Sequence, residues 1–274
     1  MLMLAAAVPA AAQGFDHALF DSVLTRFVQD SRVDYAALKQ NRGNLDRYVS
    51  RVAAVTPQRF AGWTEAERVA FLINAYNAYV LRTVIDNYPI QGSSFFKKLT
   101  APKRFAFPRN SIRHIDGVFD GIKHEVAGEE MTLDEIEHGH LRAEYAEPRI
   151  HFALVCAAVS CPPLRQEAFR GDRLDQQLDE QGLAFMNDPR LNRFEIEGKR
   201  VHLSKILDWF GEDFEAYAVD SGYSRDSRIN GVLSFVSRYL PERVVDFLEK
   251  GDYRVQVESY DWTLNDQAVA ASGG

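Results

Sequence analysis

Cysteine is scarce: the 274 residues contain two, Cys156 and Cys161, so a single intrachain disulfide is the only internal pairing open to them. Blocks of Lys and Arg are missing and the formal net charge is −7, which excludes the basic footprint of a nucleic-acid binder. No apolar run approaches the ~20 residues that a membrane-spanning helix needs. The H-E-x-x-H spacing of a zinc helix is absent, and no metal or cofactor is expected. Internal repeats and long Pro/Gly/Ser linkers are absent too, so residues 15–265 read as one continuous domain, with 266–274 as a disordered tail. What is present is ordinary for a soluble globular protein: 46% hydrophobic and 26% charged residues. Residues 1–14 stand apart. "MLMLAAAVPAAAQG" is apolar and Ala-rich, with small residues before a cut near Gln13, but it lacks a charged start. It reads as a signal-peptide remnant or a disordered tail. Export would place the chain in the periplasm or outside the cell, where thiols oxidise.

The pattern predicts an α+β fold: a helix-rich single domain with a small, mostly antiparallel sheet around a buried central helix. "FDHALFDSVLTRFVQD" has apolar residues at helical spacing, and "VDYAALKQ" and "GNLDRYVSRVAAV" are two short helices. The central helix begins after Thr64, with Glu67 at capping-box spacing, is apolar almost all round from Val69 to Ile85, and stops before Pro89. "RFAFPR", "FDGIKHEVAGEEMT" and "NRFEIEGKRVHLS" read as short strands with Gly turns. Thr132 and Glu135 open a further helix over "TLDEIEHGHL". Later helices are "GDRLDQQLDEQGLAFMND", "LSKILDWFGEDFEAY", "SRINGVLSFVSRYL" and "PERVVDFLEK", and "YRVQVESYDWTLN" alternates as a closing strand.

Polar residues in apolar surroundings are the candidates for chemistry. Asn74 and Asn77 share a face of the central helix with Glu67. A buried amide without a partner costs about 1–3 kcal/mol, so these two either bind backbone in the core or serve a site by orienting a histidine or binding substrate. His138 and His140 in "IEHGHL" point about 200° apart on a helix and cannot share a metal there. His138 and His151 flank one short segment, which makes a cleft-facing histidine plausible. "RIHFALVC" is a buried strand or short buried helix. Were it helical through Cys161, the sulfurs would lie about 140° apart, out of bonding reach. Pro162 favours an extended backbone at Cys161, so "AAVS" reads as a loop that brings Cys156 and Cys161 within disulfide range. The other readings are a free Cys161 nucleophile activated by His151 or His138, or two inert buried thiols.

"FLINAYNAYVLRTVIDNYP", "LDEIEHGHLR" and "PRIHFALVCAAVSCPPLR", with "GEEMTLDEIEH" and "YDWTLN", resemble the domain of unknown function 547 family over roughly Val33 to Asn265. The resemblance supplies no activity; it implies that Asn74, Asn77, His138 and His151 are the positions to watch. Papain- and transglutaminase-like folds also combine a central helix with a small sheet, but they carry a cysteine at the start of that helix, where this chain has none.

Two functional expectations follow. One is an exported hydrolase or acyl-transferase with a site built from Asn74, Asn77, His138 and His151, Cys161 as nucleophile if reduced, and Glu137 orienting a histidine as a triad's third member does. The other is a non-catalytic periplasmic binding or assembly module stapled by Cys156–Cys161. The partner in either case is an unknown small molecule, peptide or protein. Convergence of Asn74, Asn77, His138, His151 and Cys161 on one solvent-reachable pocket favours this enzyme site; scattering, or sealing in the core, defeats it.

Overall fold

The structure is a computed structural model that describes residues 14–91, 107–219 and 222–268. The expected signal remnant, apart from Gly14, lies outside the described residues. So does most of the expected strand "RFAFPR"; the part described, Phe107–Arg109, is not in a strand.

Helix α1 (Ala18–Phe27) leads into a two-residue hairpin, β1 (Val28–Gln29) and β2 (Arg32–Val33), and then α2 (Tyr35–Gln40), α3 (Gly43–Ala53) and α4 (Pro57–Ala61). These surround the central α5 (Glu65–Asn87), which has neither Gly nor Pro within it. The Thr64 hydroxyl accepts the Glu67 N–H at 3.2 Å and the Glu67 carboxylate accepts the Thr64 N–H at 2.9 Å, closing a reciprocal cap. Every residue from Val69 to Leu81 is buried, so α5 is wrapped on all sides. Fully burying a side chain such as Phe71, Leu72 or Ile73 contributes roughly 1.5–3 kcal/mol, and this is the main force holding the layers on α5.

Among the described residues, three small sheets complete the α+β architecture. β1–β2, β3–β4 (His124–Val126, Glu129–Met131) and β5–β6 (Arg193–Glu195, Arg200–Leu203) are antiparallel, and β7 (Arg254–Val257) joins β6 in parallel. The β3–β4 turn places Ala127 and Gly128 at positive φ, the two-residue turn whose twist suits a hairpin. A Cβ at Gly128 would meet the Pro57 ring at 2.7 Å, so that position needs glycine twice over. A second core, with Phe152, Phe185, Val201, Phe214 and Leu233, lies under α6 (Leu174–Met186), α7 (Lys205–Trp209), α8 (Ser227–Val236) and α9 (Glu242–Glu249).

Three details differ from the pattern reading. "LSKILDWFGEDFEAY" is not one helix: α7 ends at Trp209, and after Phe210 a 3-10 segment, Gly211–Tyr217, begins at the buried Gly211. The closing strand stops at Val257, and the chain beyond it carries Tyr260 and Trp262 away from the sheet. Asp266 and Gln267, assigned to the tail, are tied in: Tyr88 donates to the Asp266 carboxylate at 2.8 Å, and the Gln267 amide donates to the Phe27 and Arg32 carbonyls.

Residues 152–170 contain the two cysteines and make few regular backbone bonds, yet much of the segment is buried. Side-chain amides supply the partners. Asn77 donates to the Ala153 carbonyl and accepts from the Val155 N–H, both at 2.9 Å. Asn74 does the same for Phe169, at 2.8 and 2.9 Å. Asn77→Leu should therefore destabilise the fold by about 1–3 kcal/mol for each backbone group left unpaired. Urea unfolding checks this, and a midpoint equal to that of the parent would contradict the role given to Asn77.

Candidate functional site

One cleft of about 920 Å³ brings several of the sequence candidates together. Glu137, His138, His151 and Cys156 line it, with Asp134, Tyr76, Tyr260, Arg113 and the aromatic rings of Phe210, Trp209 and Trp262. Asn74, Asn77 and Cys161 do not line it. Both asparagines occupy the core on backbone groups, and Asn74 also touches His17, which bonds the Tyr48 hydroxyl at 2.7 Å. Burial lowers the His17 pKa to about 4, so this ring is a neutral part of the core. His140 turns to Glu144 at 2.8 Å and is not among the cleft residues.

The helix after Thr132 widens into a π-helix over Glu135–Arg142, a geometry that recurs at functional sites. Its start carries the expected reciprocal bonds: Thr132 N–H to the Glu135 carboxylate at 2.7 Å and Glu135 N–H to the Thr132 hydroxyl at 3.1 Å. The widened helix presents Glu137 and His138 to the cleft and sends Arg142 toward the 3-10 segment after α7. Arg142 grips Asp213 with two bonds of 2.6 Å and Glu212 with one of 2.8 Å. His151, on the 3-10 turn Pro148–Phe152, meets the same Asp213 at 2.6 Å through Nε2. Its ring stacks on Phe210 at 4.0 Å between centroids. The break between α7 and the following segment thus serves the site directly, because it sets Phe210 over His151 and Asp213 beside it.

The protonation pattern follows from these contacts. Burial pushes the Asp213 carboxyl up, but the His151 and Arg142 hydrogen bonds outweigh it and hold it well below the usual carboxylate range. An ionised carboxylate only accepts, so His151 Nε2 carries a proton. Burial lowers the His151 pKa against the opposing pull of Asp213, leaving the ring neutral and Nδ1 unprotonated at neutral pH. That Nδ1 is buried, has no hydrogen-bond partner among the described residues, and lies 4.0 Å from a Glu137 carboxylate oxygen. Burial, and then the neighbouring Asp134, raises the Glu137 pKa to about 7. Burial also raises the hydroxyls of Tyr76 and Tyr260, each further raised by Glu137, and keeps both protonated. His138 is lowered by burial and by Arg142, whose guanidinium lies 3.2 Å from its Nδ1.

The sulfurs of Cys156 and Cys161 lie at disulfide distance, with Cα atoms 6.2 Å apart. Their polar neighbours are the Tyr260 hydroxyl at 3.0 and 3.1 Å and backbone N–H groups, not a histidine. The wall of the cleft carries Cys156, whereas Cys161 faces a smaller hollow beside Pro163 and Asn265. Participants that the sequence reading does not mark include Asp213, Arg142 and Arg113, together with Asp134, Phe210 and Tyr260. Asp213 is 62 residues from His151 and sits in a segment that reads as plain amphipathic helix, so no local signal marks it. The expectation that Glu137 orients a histidine takes a different form: Asp213 holds the imidazole, and Glu137 faces its other nitrogen.

Residues 60–186 match the family model described as "Protein of unknown function, DUF547". That span holds the central helix, the π-helix, His151 and both cysteines, and ends before Asp213. No curated protein and no solved structure matches the chain.

A raised carboxyl pKa is stabilising below its ordinary value and is lost as pH rises through the folded value. For Glu137 that window runs from 4.5 to about 7 and corresponds to ~3 kcal/mol. Glu137→Gln removes the titration while keeping the shape. It should unfold at nearly the parent temperature near pH 5 and be the more stable protein above pH 8, by thermal melts at both pH values. Equal pH dependence of the two would contradict the assignment. Intact mass of unreduced protein should be two hydrogens below that of the dithiol form. The loop closed is short, so the chain-entropy model gives the bond only ~2 kcal/mol, and reduction should lower the melting point without unfolding the protein.

Proposed function

We propose, for a chain whose residues 60–186 belong to the DUF547 family, an exported hydrolase or acyl-transferase in which Glu137 is the proton-transfer group and no thiolate takes part. The observation that carries this reading is Glu137 itself. It is a cleft-lining carboxyl with its pKa raised to about 7, backed by an unprotonated imidazole nitrogen 4.0 Å away. A general base is most effective when its pKa lies near the working pH, and burial is the ordinary means of bringing a carboxyl there.

The roles follow from exposure. Glu137 keeps part of its side chain open to the cleft, whereas the His151 ring is buried behind it. Glu137 as carboxylate takes a proton from water, the water oxygen attacks the carbonyl carbon, and the Glu137 carboxyl then returns that proton to the leaving oxygen or nitrogen. A hydroxyl acceptor in place of water makes the same step an acyl transfer. His151 is a positioning residue: with Asp213 and Arg142 it fixes the wall behind Glu137 and offers a lone pair rather than a positive charge, which keeps the Glu137 pKa high. Among the described residues the cleft is lined by neither Ser nor Thr, and the one sulfur there, on Cys156, is at disulfide distance from Cys161; attack by water or an acceptor hydroxyl is the step these residues support. Export is supported by the Ala-rich start and by the cysteine pair.

That no Ser, Thr or free thiol lines the cleft among the described residues also suits the second reading, a periplasmic module that binds its ligand in this cleft without turnover.

The test is hydrolysis of a panel of chromogenic acyl esters and amides across pH. The base form of Glu137 is the active one, so kcat/KM should rise with pH and level off above about 7. Glu137→Gln should lower it by about 10²–10⁴-fold. His151→Asn should move the midpoint of the profile rather than abolish the rate. A rate unchanged in Glu137→Gln, or falling through pH 7, would overturn the proposal, and ligand binding without any turnover would establish the binding module instead.

A further inference from the structure

Arg113 is the one Lys or Arg that lines the cleft among the described residues, and it has no carboxylate partner there within ion-pair distance. Its neighbours are aromatic. The guanidinium carbon lies 5.2 Å from the Phe107 ring centre, 5.5 Å from that of Phe119 and 5.2 Å from that of Trp262. The backbone beneath it is fixed as well: the Arg113 N–H reaches the Ser111 hydroxyl at 3.3 Å, and the Asn110 carbonyl accepts the Leu264 N–H at 3.1 Å.

Elsewhere in the site, Arg142 is fully engaged with Asp213 and Glu212. Arg113 differs because three rings surround it, and among the described residues no hydrogen bond or ion pair occupies its guanidinium N–H donors. Such a fork suits a planar carboxylate, which it binds through two parallel bonds. We infer that the cleft takes a ligand with a single carboxylate on an apolar or aromatic body, with Arg113 binding the carboxylate.

The rest of the cleft supports both halves of that description. The body has a platform in Trp209, Tyr260 and Trp262, whose ring centres are 4.8 Å (Trp209–Tyr260) and 4.6 Å (Tyr260–Trp262) apart. Trp209 is 41% exposed and lines the cleft, so its ring face is open to an apolar ligand body. The limit to one negative charge comes from Asp120 and Asp134, and above about pH 7 from Glu137 as well, all of which line the same cleft. A dianionic head or a second anionic group would face them. A carboxylate is therefore favoured over a phosphate, although both suit an arginine.

This inference rests on the reading of the cleft as the ligand site but not on Glu137 chemistry, because its test reads binding. Full-length protein is titrated by calorimetry with phenylacetate, phenylacetamide and phenyl phosphate, at about pH 7.5 where the phosphate is largely a dianion. Phenylacetate should bind about tenfold or more tightly than the amide, the difference that one charged hydrogen-bonded pair supplies. It should also bind more tightly than phenyl phosphate. Arg113→Gln should erase the preference for acid over amide, and Arg113→Lys should recover part of it. Equal binding of acid and amide, tighter binding of the phosphate, or no binding of any of the three would overturn the inference. The comparison of acid and amide needs no variant, so a poorly folding Arg113→Gln leaves it decisive. Failure of Glu137→Gln to lower turnover, with the acid preference intact, would sink the acid–base reading alone.

Discussion

Four side-chain amides hold the middle of this protein together. The segment 152–170 is largely buried and largely irregular, and a buried backbone group without a partner costs about 1–3 kcal/mol. Asn77 serves Ala153 and Val155, and Asn74 serves Phe169. From the other side, Gln181 donates to the Phe152 and Pro163 carbonyls, and Gln177 bonds Ala168 and Arg170. Two helices, α5 and α6, therefore grip the segment between them. An amide side chain can do this because it carries a donor and an acceptor, as a backbone residue does. With the segment gripped, His151 and Cys156 have fixed places on the cleft wall, and the cleft has one rigid side.

The other side is electrostatic. Arg142 leaves the π-helix to clamp Asp213, and the clamped Asp213 holds His151 by Nε2. With that proton assigned, the opposite nitrogen can only be a lone pair, and it faces Glu137. A cationic imidazole there would pull the Glu137 pKa down. The neutral ring, the burial and the nearby Asp134 all act in the opposite direction. The site thus separates two carboxyls by surroundings alone: Asp213 is held ionised well below the usual carboxylate range, and Glu137 is balanced near neutrality. The disulfide-distance pair lies beside the same wall, with the Tyr260 hydroxyl 3.0 and 3.1 Å from the two sulfurs.

Much of this was legible in the sequence where the controlling contacts are local. The Thr64–Glu67 pair marks the start of α5, the apolar run after it marks its burial, and Thr132–Glu135 marks the start of the site helix. The demand of Asn74 and Asn77 for partners was readable as well, and they meet it on backbone rather than in the cleft. The break at Phe210–Gly211 was not readable, because the apolar spacing of "LSKILDWFGEDFEAY" continues through it. What bends the chain there is tertiary: the stacking of Phe210 on His151 and the grip on Asp213, across 62 residues of sequence. Arg113 escaped for a related reason, since one arginine among many acquires meaning only from the rings folded around it. The alternation persists past Val257, but the strand ends there, because the aromatic residues beyond it turn toward the cleft instead of a neighbouring strand.

The central claim is a neutral His151 beside a Glu137 that titrates near neutrality. Nuclear magnetic resonance of protein labelled in the imidazole nitrogens and glutamate carboxyls reads both at once. The account predicts that His151 carries its proton on Nε2 alone at neutral pH, and that the carboxyl signal absent from Glu137→Gln moves with a midpoint of about 7. A Glu137 midpoint at the ordinary 4.5, or a His151 doubly protonated at pH 7, would contradict it.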